Sequence, residues 1–183
     1  MGLDITAYSR LKHLGQHEPD NSDEGCEYDP KTYDRVHIQA YAYDDFPQSF
    51  RGIPVLGTEA SNSGHIFLEG GCYELTAETE THAFRAGSYG GYNRWRADLA
   101  RQFNPGPPHA ENGPFFELVW FADNEGSIGP EAAKDLLEDF RAYEDRYAPD
   151  VADAWWRDGY VARYRDWMRA FELAADGGLV DFH

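Results

Sequence analysis

The sequence has few of the features that mark secreted, metal-binding or membrane-spanning proteins. Its 183 residues include only two cysteines, Cys26 and Cys72, which form neither a CxxC pair nor a zinc-finger spacing. No run approaches the roughly 18 apolar residues that cross a bilayer, and no charged start followed by an apolar segment predicts secretion. We therefore expect a cytoplasmic protein without membrane partners, in which both cysteines are small, partly buried apolar residues.

Positive charge is also scarce. Sixteen basic residues face 33 acidic ones, for a net charge of -17, and only three of the basic residues are lysines. Such a chain repels the phosphate backbone, so we expect no binding to duplex nucleic acid. An acidic surface suits a basic protein partner or mimicry of a polyanion. The prevalence of arginine suits pairing with carboxylate or phosphate and stacking on rings.

Length and apolar content predict a single domain over residues 1–183. Alternating patterns predict strands at residues 3–8 and 35–43, and two short strands are expected around Gly70 and Gly71. The apolar run at residues 115–121 predicts a central strand, and residues 179–183 predict a tail or edge strand.

Helical spacing predicts three helices. The first follows Gly91 and could be capped by Asn93, the second opens at Pro130, and the third runs from about residue 150 to 175. The predicted fold class is therefore α+β, with a small, mostly antiparallel sheet and about three helices packed on one face.

Residues 84–103, here called the cationic segment, hold four arginines and one acidic residue, a net charge of +3 in a background of -20. Glycines precede a helix start there, and backbone N–H groups at a helix N-terminus bind anions. Aromatic rings nearby could stack on a base. The candidate ligand-binding residues in this segment are Arg85, Ser88, Tyr89, Tyr92, Asn93, Arg94, Trp95 and Arg96.

An alternative explains the same pattern without a ligand. Tyr92, Trp95 and Leu99 recur at helical spacing, as core residues do, and the arginines could pair with surplus carboxylates. The sequence leaves both interpretations open.

A second candidate lies at residues 121–131, where acidic and hydroxyl side chains precede a predicted helix. Asp123, Glu125 and Ser127 could hydrogen-bond ribose or base edges, or the segment could be a tight acidic turn. The seven histidines are scattered, and neither HExxH nor an EF-hand spacing occurs. We therefore expect no metal, no cofactor and no catalytic residues.

The last helix carries many large rings, among them Trp155, Trp156 and Trp167. Such rings usually form core. An excess of them could also cover an interface in a homodimer.

The segments MGLDITAY, FRAGSYGGYNRWR, GSIGPE and AFELAADGGLVDFH resemble a group of small uncharacterised proteins from tailed phages and prophages. The resemblance implies a place in the bacterial host cytoplasm and an anti-defence role, because small acidic phage proteins often act on host immunity. We therefore expect a protein that binds and sequesters a nucleotide-type immune signal, such as a cyclic dinucleotide or a cyclic ADP-ribose-like molecule, without cleaving it. An acidic inhibitor of a host enzyme and a nucleotide-degrading enzyme are the alternatives.

Overall fold

The structure is a computed structural model that describes residues 2–15, 35–38, 49–50, 53–54, 71–103, 113–121 and 126–183. Its nine described strands are β1 (Gly2–Tyr8), β2 (Lys12–Gly15), β3 (Arg35–Ile38), β4 (Ser49–Phe50), β5 (Ile53–Pro54), β6 (Gly71–Glu74), β7 (Thr81–Ser88), β8 (Gly126–Ile128) and β9 (Leu179–Phe182). Its helices are α1 (Tyr89–Phe103), α2 (Phe116–Trp120), α3 (Pro130–Tyr143), a 3-10 turn (Glu144–Arg146) and α4 (Ala154–Ala175).

The main sheet has four antiparallel strands in the order β7-β1-β9-β8. A second sheet has the order β2-β6-β3, and β4 pairs with β5. The predicted α+β class, with a small antiparallel sheet and packed helices, is confirmed.

Alternation along β1 explains why this strand lies inside the sheet. Leu3, Ile5 and Ala7 are buried, whereas the residues between them are only partly buried. The buried side faces the helices and their aromatic core. In that core the Trp167 ring stacks on Tyr92 and Trp95, with ring centroids 5.5 and 6.1 Å apart.

Several predicted element ends are confirmed. Pro130 occupies the first turn of α3, where its missing N–H costs nothing. Gly177, with a φ of 67°, follows the end of α4 in the left-handed conformation that favours glycine. Helix α4 begins at Ala154 rather than near residue 150, because Asp153 caps it.

Three predictions were wrong. Residues 116–120 form the short helix α2 instead of a central strand, and Phe115 before it has a φ of 59°. β9 lies inside the sheet, between β1 and β8, rather than at an edge. Helix α1 begins at Tyr89, ahead of the two glycines, and its cap is Ser88 rather than Asn93: the Ser88 Oγ accepts a hydrogen bond from the Gly91 N–H at 3.1 Å.

The predictions for residues 39–43 and for the strand before Gly70 lie outside the described residues. In the part of the chain that the structure describes, no helix is long and apolar enough to cross a membrane.

Candidate functional site

The cationic segment does not bring its arginines together. Arg85 lies on strand β7 and is exposed, Arg94 is exposed on α1, and Arg96 is buried at 1% exposure. With Arg101, which is 63% exposed, the segment therefore offers three surface cations and one core cation.

The arginine in the core has protein partners. The Arg96 guanidinium donates to the carbonyl oxygens of Leu118 and Phe121 and to the side-chain oxygen of Asn93. Its Cζ atom lies 4.7 Å from the centre of the Tyr92 ring. These contacts place Arg96 and Asn93 in a structural network between α1 and α2.

The rings predicted to stack on a base are also placed in the core. Tyr92 and Trp95 are fully buried against Trp167. Helical spacing had left two interpretations of these rings open, and the structure places them in the core rather than in a ligand-binding pocket. Tyr89 is half-buried at the start of α1, and Ser88 is exposed beside it as the helix cap.

A different surface brings two of the predicted residues onto one face. Arg85 on β7 and Ser127 on β8 both point to the side of the main sheet away from the helices, as the register shows. Asp4 is opposite Arg85, Thr6 is opposite Asp181, and Asp181 is opposite Ser127. We call Arg85, Asp4, Thr6, His183, Asp181 and Ser127 the polar strip. Asp123 and Glu125 lie outside the described residues.

The strip changes from exposed to buried across the sheet. The Arg85 and Asp4 side chains are 62% and 48% exposed and form an ion pair at 3.7 Å. An ion pair that is this exposed to water contributes only about 0–1 kcal/mol to the stability of the fold. At the other side, Ser127 is 4% exposed. The strip therefore has a solvated cation at one end and a buried hydroxyl group at the other.

The carboxyl of Asp181 is the most perturbed group in the strip. Burial raises its pKa to about 7, and a hydrogen bond from the backbone of Phe182 opposes that rise. Near neutral pH a large fraction of this carboxyl is therefore protonated and can donate as well as accept a hydrogen bond.

His183 and Tyr8 complete this surface. A hydrogen bond of 2.9 Å joins the His183 Nε2 atom to the Thr6 Oγ1 atom, and paired backbone bonds hold His183 opposite Asp4. Tyr8 lies on the same face, where it packs with Tyr73 and Leu179. Burial raises the pKa of the Tyr8 hydroxyl, and the nearby Asp181 charge adds to that rise.

The sequence analysis missed most of the strip. Alternation over residues 3–8 already places Asp4, Thr6 and Tyr8 on one face. No local signal, however, shows that the end of the chain pairs beside them. Arg163 was missed as well: it is half-buried on α4 against Gly87, and burial lowers its pKa.

Among the described residues, no group of three or more His, Cys, Asp and Glu side chains is arranged to hold a metal ion. No protein-family model, curated protein or solved structure matches the chain.

Proposed function

We propose that the protein binds a small nucleotide-type ligand across the polar strip and sequesters it. The observation that carries this proposal is the register that puts Arg85 and Ser127, 42 positions apart in the sequence, on one face with Asp181 and Thr6 between them. Three strand spacings separate β7 from β8, a span of about 14 Å. That span suits an extended ligand of nucleotide size.

Each part of such a ligand has a chemically suitable partner. Arg85 would pair with a phosphate in a bidentate fashion, because its ion pair with Asp4 is solvated and weak. Thr6, Ser127 and the partly protonated Asp181 would hydrogen-bond sugar hydroxyls or base edges. The Tyr8 ring borders the strip and would contact a base from the side.

The biological part of the proposal comes from the resemblance to small phage proteins. In an infected cell, a protein that holds a nucleotide-type immune signal lowers its free concentration and blunts the response. Sequestration needs tight binding, since a nanomolar dissociation constant corresponds to about -12 kcal/mol. The desolvated end of the strip supports such affinity, because hydrogen bonds are strongest where water is excluded.

The test is a titration with cyclic dinucleotides and cyclic ADP-ribose isomers, followed by melting temperature and calorimetry. We expect at least one ligand to bind with a micromolar or lower Kd. Arg85→Gln and Ser127→Ala should each weaken binding at least about tenfold. Arg94→Gln removes the same charge from the exposed side of α1 and should leave the Kd unchanged.

Two outcomes would reject the proposal: no response to any member of the panel, or equal losses in the Arg85 and Arg94 variants. Heating the complex and analysing the released ligand separates sequestration from turnover. Intact ligand supports sequestration, whereas a cleaved product supports the nucleotide-degrading alternative.

A further inference from the structure

The first turns of helix α4 carry two exposed tryptophans. Trp155 is 73% exposed and Trp156 is 56% exposed, and their rings meet edge to face with centroids 4.9 Å apart. Trp95 and Trp167, by contrast, are fully buried. Two large rings left in water beside each other mark a surface that another molecule covers. We call Trp155 and Trp156 the tryptophan pair.

The backbone under the tryptophan pair is well fixed. One carboxylate oxygen of Asp153 accepts hydrogen bonds from the backbone N–H groups of Trp155 and Trp156, at 2.8 and 3.3 Å. The Arg157 guanidinium donates to the Val151 carbonyl oxygen at 3.0 Å, which ties the helix to the segment before it. The pair is therefore held in place before any partner arrives, so association orders little backbone.

The first turns of α4 are also exposed along their whole length. Residues 152–159 are all exposed, and the first buried side chain of the helix is Tyr160. Apart from the backbone of its own helix, a methyl group placed on Gly159 would meet no atom of the described residues within 4 Å. A partner can therefore approach the tryptophan pair without displacing any other part of the chain that the structure describes.

The charge around the pair is negative. Residues 150–158 contain three exposed acidic residues and one arginine. The three acids, called the acidic rim, are Asp150, Asp153 and Asp158. Arg157 is engaged locally, since it holds the Val151 carbonyl, and Arg101 lies 4.0 Å from Asp150.

We propose that the tryptophan pair and the acidic rim form the docking surface for a basic protein. The partner offers an apolar pocket for the two rings, and lysines or arginines around that pocket face the acidic rim. Buried tryptophans commonly dominate binding energy, while charges at the rim set orientation and association rate. This surface lies on α4, so the inference is independent of ligand binding at the polar strip.

Charge favours this occupant over a second copy of the chain. A two-fold interface sets the same patch against itself, so two acidic rims would meet in a dimer of chains that each carry a net charge of -17. An anionic membrane surface is disfavoured for the same reason. The same acidic residues would attract the lysines and arginines of a basic protein.

The test starts with the full-length protein immobilised in an extract of bacterial cells, beside a Trp155→Ala/Trp156→Ala variant. A protein retained by the first and not by the second is identified by mass spectrometry, purified and titrated by calorimetry. We expect a basic protein that binds one to one, with at least about 30-fold weaker binding to the double variant. Both tryptophans are exposed, so the circular dichroism and melting temperature of that variant should match the parent.

Charge variants supply the matched control. Asp150→Lys/Asp158→Lys should weaken binding at least about tenfold. Asp135→Lys/Glu138→Lys makes the same charge change on α3, and its Kd for the partner should stay within about threefold of the parent's. The proposal is overturned if the tryptophan variant retains every captured protein, if the partner is acidic, or if both charge variants lose affinity equally. It is also overturned if sedimentation shows tryptophan-dependent self-association, or if phospholipid vesicles bind the parent and not the variant.

Discussion

The Arg96 guanidinium donates to the main-chain carbonyl oxygen of Phe121, at the point where helix α2 ends. It also donates to the Leu118 carbonyl oxygen at 3.4 Å and to the Asn93 side chain. A cation at a helix C-terminus meets carbonyl groups that lack partners within the helix. Arg96 thereby fastens α2, a helix of only five residues, to α1.

We expect Arg96→Met to destabilise the fold by about 2–4 kcal/mol, because buried carbonyl groups and the Asn93 amide lose their donor. Arg96→Lys should recover only part of that loss, since an ammonium group lacks the planar fork of donors. Urea unfolding measures both effects. The control is Arg94→Met on the exposed side of α1, which should stay within about 0.5 kcal/mol of the parent. Equal effects at positions 94 and 96 would contradict the structural role.

The same helix shows how far the sequence analysis could go. Helical spacing of Tyr92, Trp95, Leu99 and Phe103 correctly predicted one continuous face of α1. A buried face and the wall of a binding pocket, however, use the same large rings at the same spacing. Only the position of Trp167, 72 residues after Trp95 in the sequence, shows that this face is core.

Strand order was less predictable than helix position. The run at residues 115–121 is apolar enough for a buried strand, but a run that short has no period that excludes a helix. β9 was expected as a tail or an edge strand, yet it pairs with both β1 and β8. Pairing over such separations depends on tertiary packing, which is why the polar strip was not predicted as a unit.

Because the pKa of the Asp181 carboxyl is raised in the folded protein, we expect the protein to lose stability as the pH rises. The pKa of this carboxyl is about 7 in the folded protein and about 3.9 in an unfolded chain. Between these values the folded state binds more protons than the unfolded state, so stability falls from about pH 4 to pH 7 and then levels off. The full effect is at most about 4 kcal/mol, at 1.36 kcal/mol for each pKa unit. Urea unfolding at pH 5 and pH 8 measures it.

Asp181→Asn is the matched variant, because it keeps the shape and removes the charge. This variant should be more stable than the parent at pH 8. Its free energy of unfolding should also change much less between pH 5 and pH 8 than that of the parent. Burial also raises the pKa of Asp98 and of Asp139, so a smaller slope should remain. An unchanged slope in the Asn variant would show that Asp181 is not the group responsible.

Replacement of Gly87, which precedes the α1 cap Ser88, should also destabilise the protein. The φ of Gly87 is 114°, and the β1–β7 register shifts between Leu3 and Asp4 at the same place. A side chain at that φ costs about 1–3 kcal/mol. Gly87→Ala should therefore lower the melting temperature, even though the nearest atom to the new methyl group, the Arg163 Nη2, lies 3.3 Å away at the end of a flexible side chain. Restoring the loss by shortening Arg163 would instead show that crowding, not backbone strain, is responsible.

Replacement by alanine should have opposite effects on stability at Gly178 and at Gly159. A Cβ on Gly178 would overlap the backbone of Tyr8 and Ser9, where the chain enters β9, so Gly178→Ala must push two backbone segments apart. We expect a loss of about 3 kcal/mol or more, or a failure to fold. Gly159 lies inside α4, where no described residue outside that helix approaches within 4 Å of an added Cβ. Gly159→Ala should therefore stabilise the protein by about 0.5–1 kcal/mol, because alanine is the better helix former. Thermal unfolding of the two variants beside the parent checks both signs, and a destabilised Gly159 variant would mean that the start of α4 is not helical in solution.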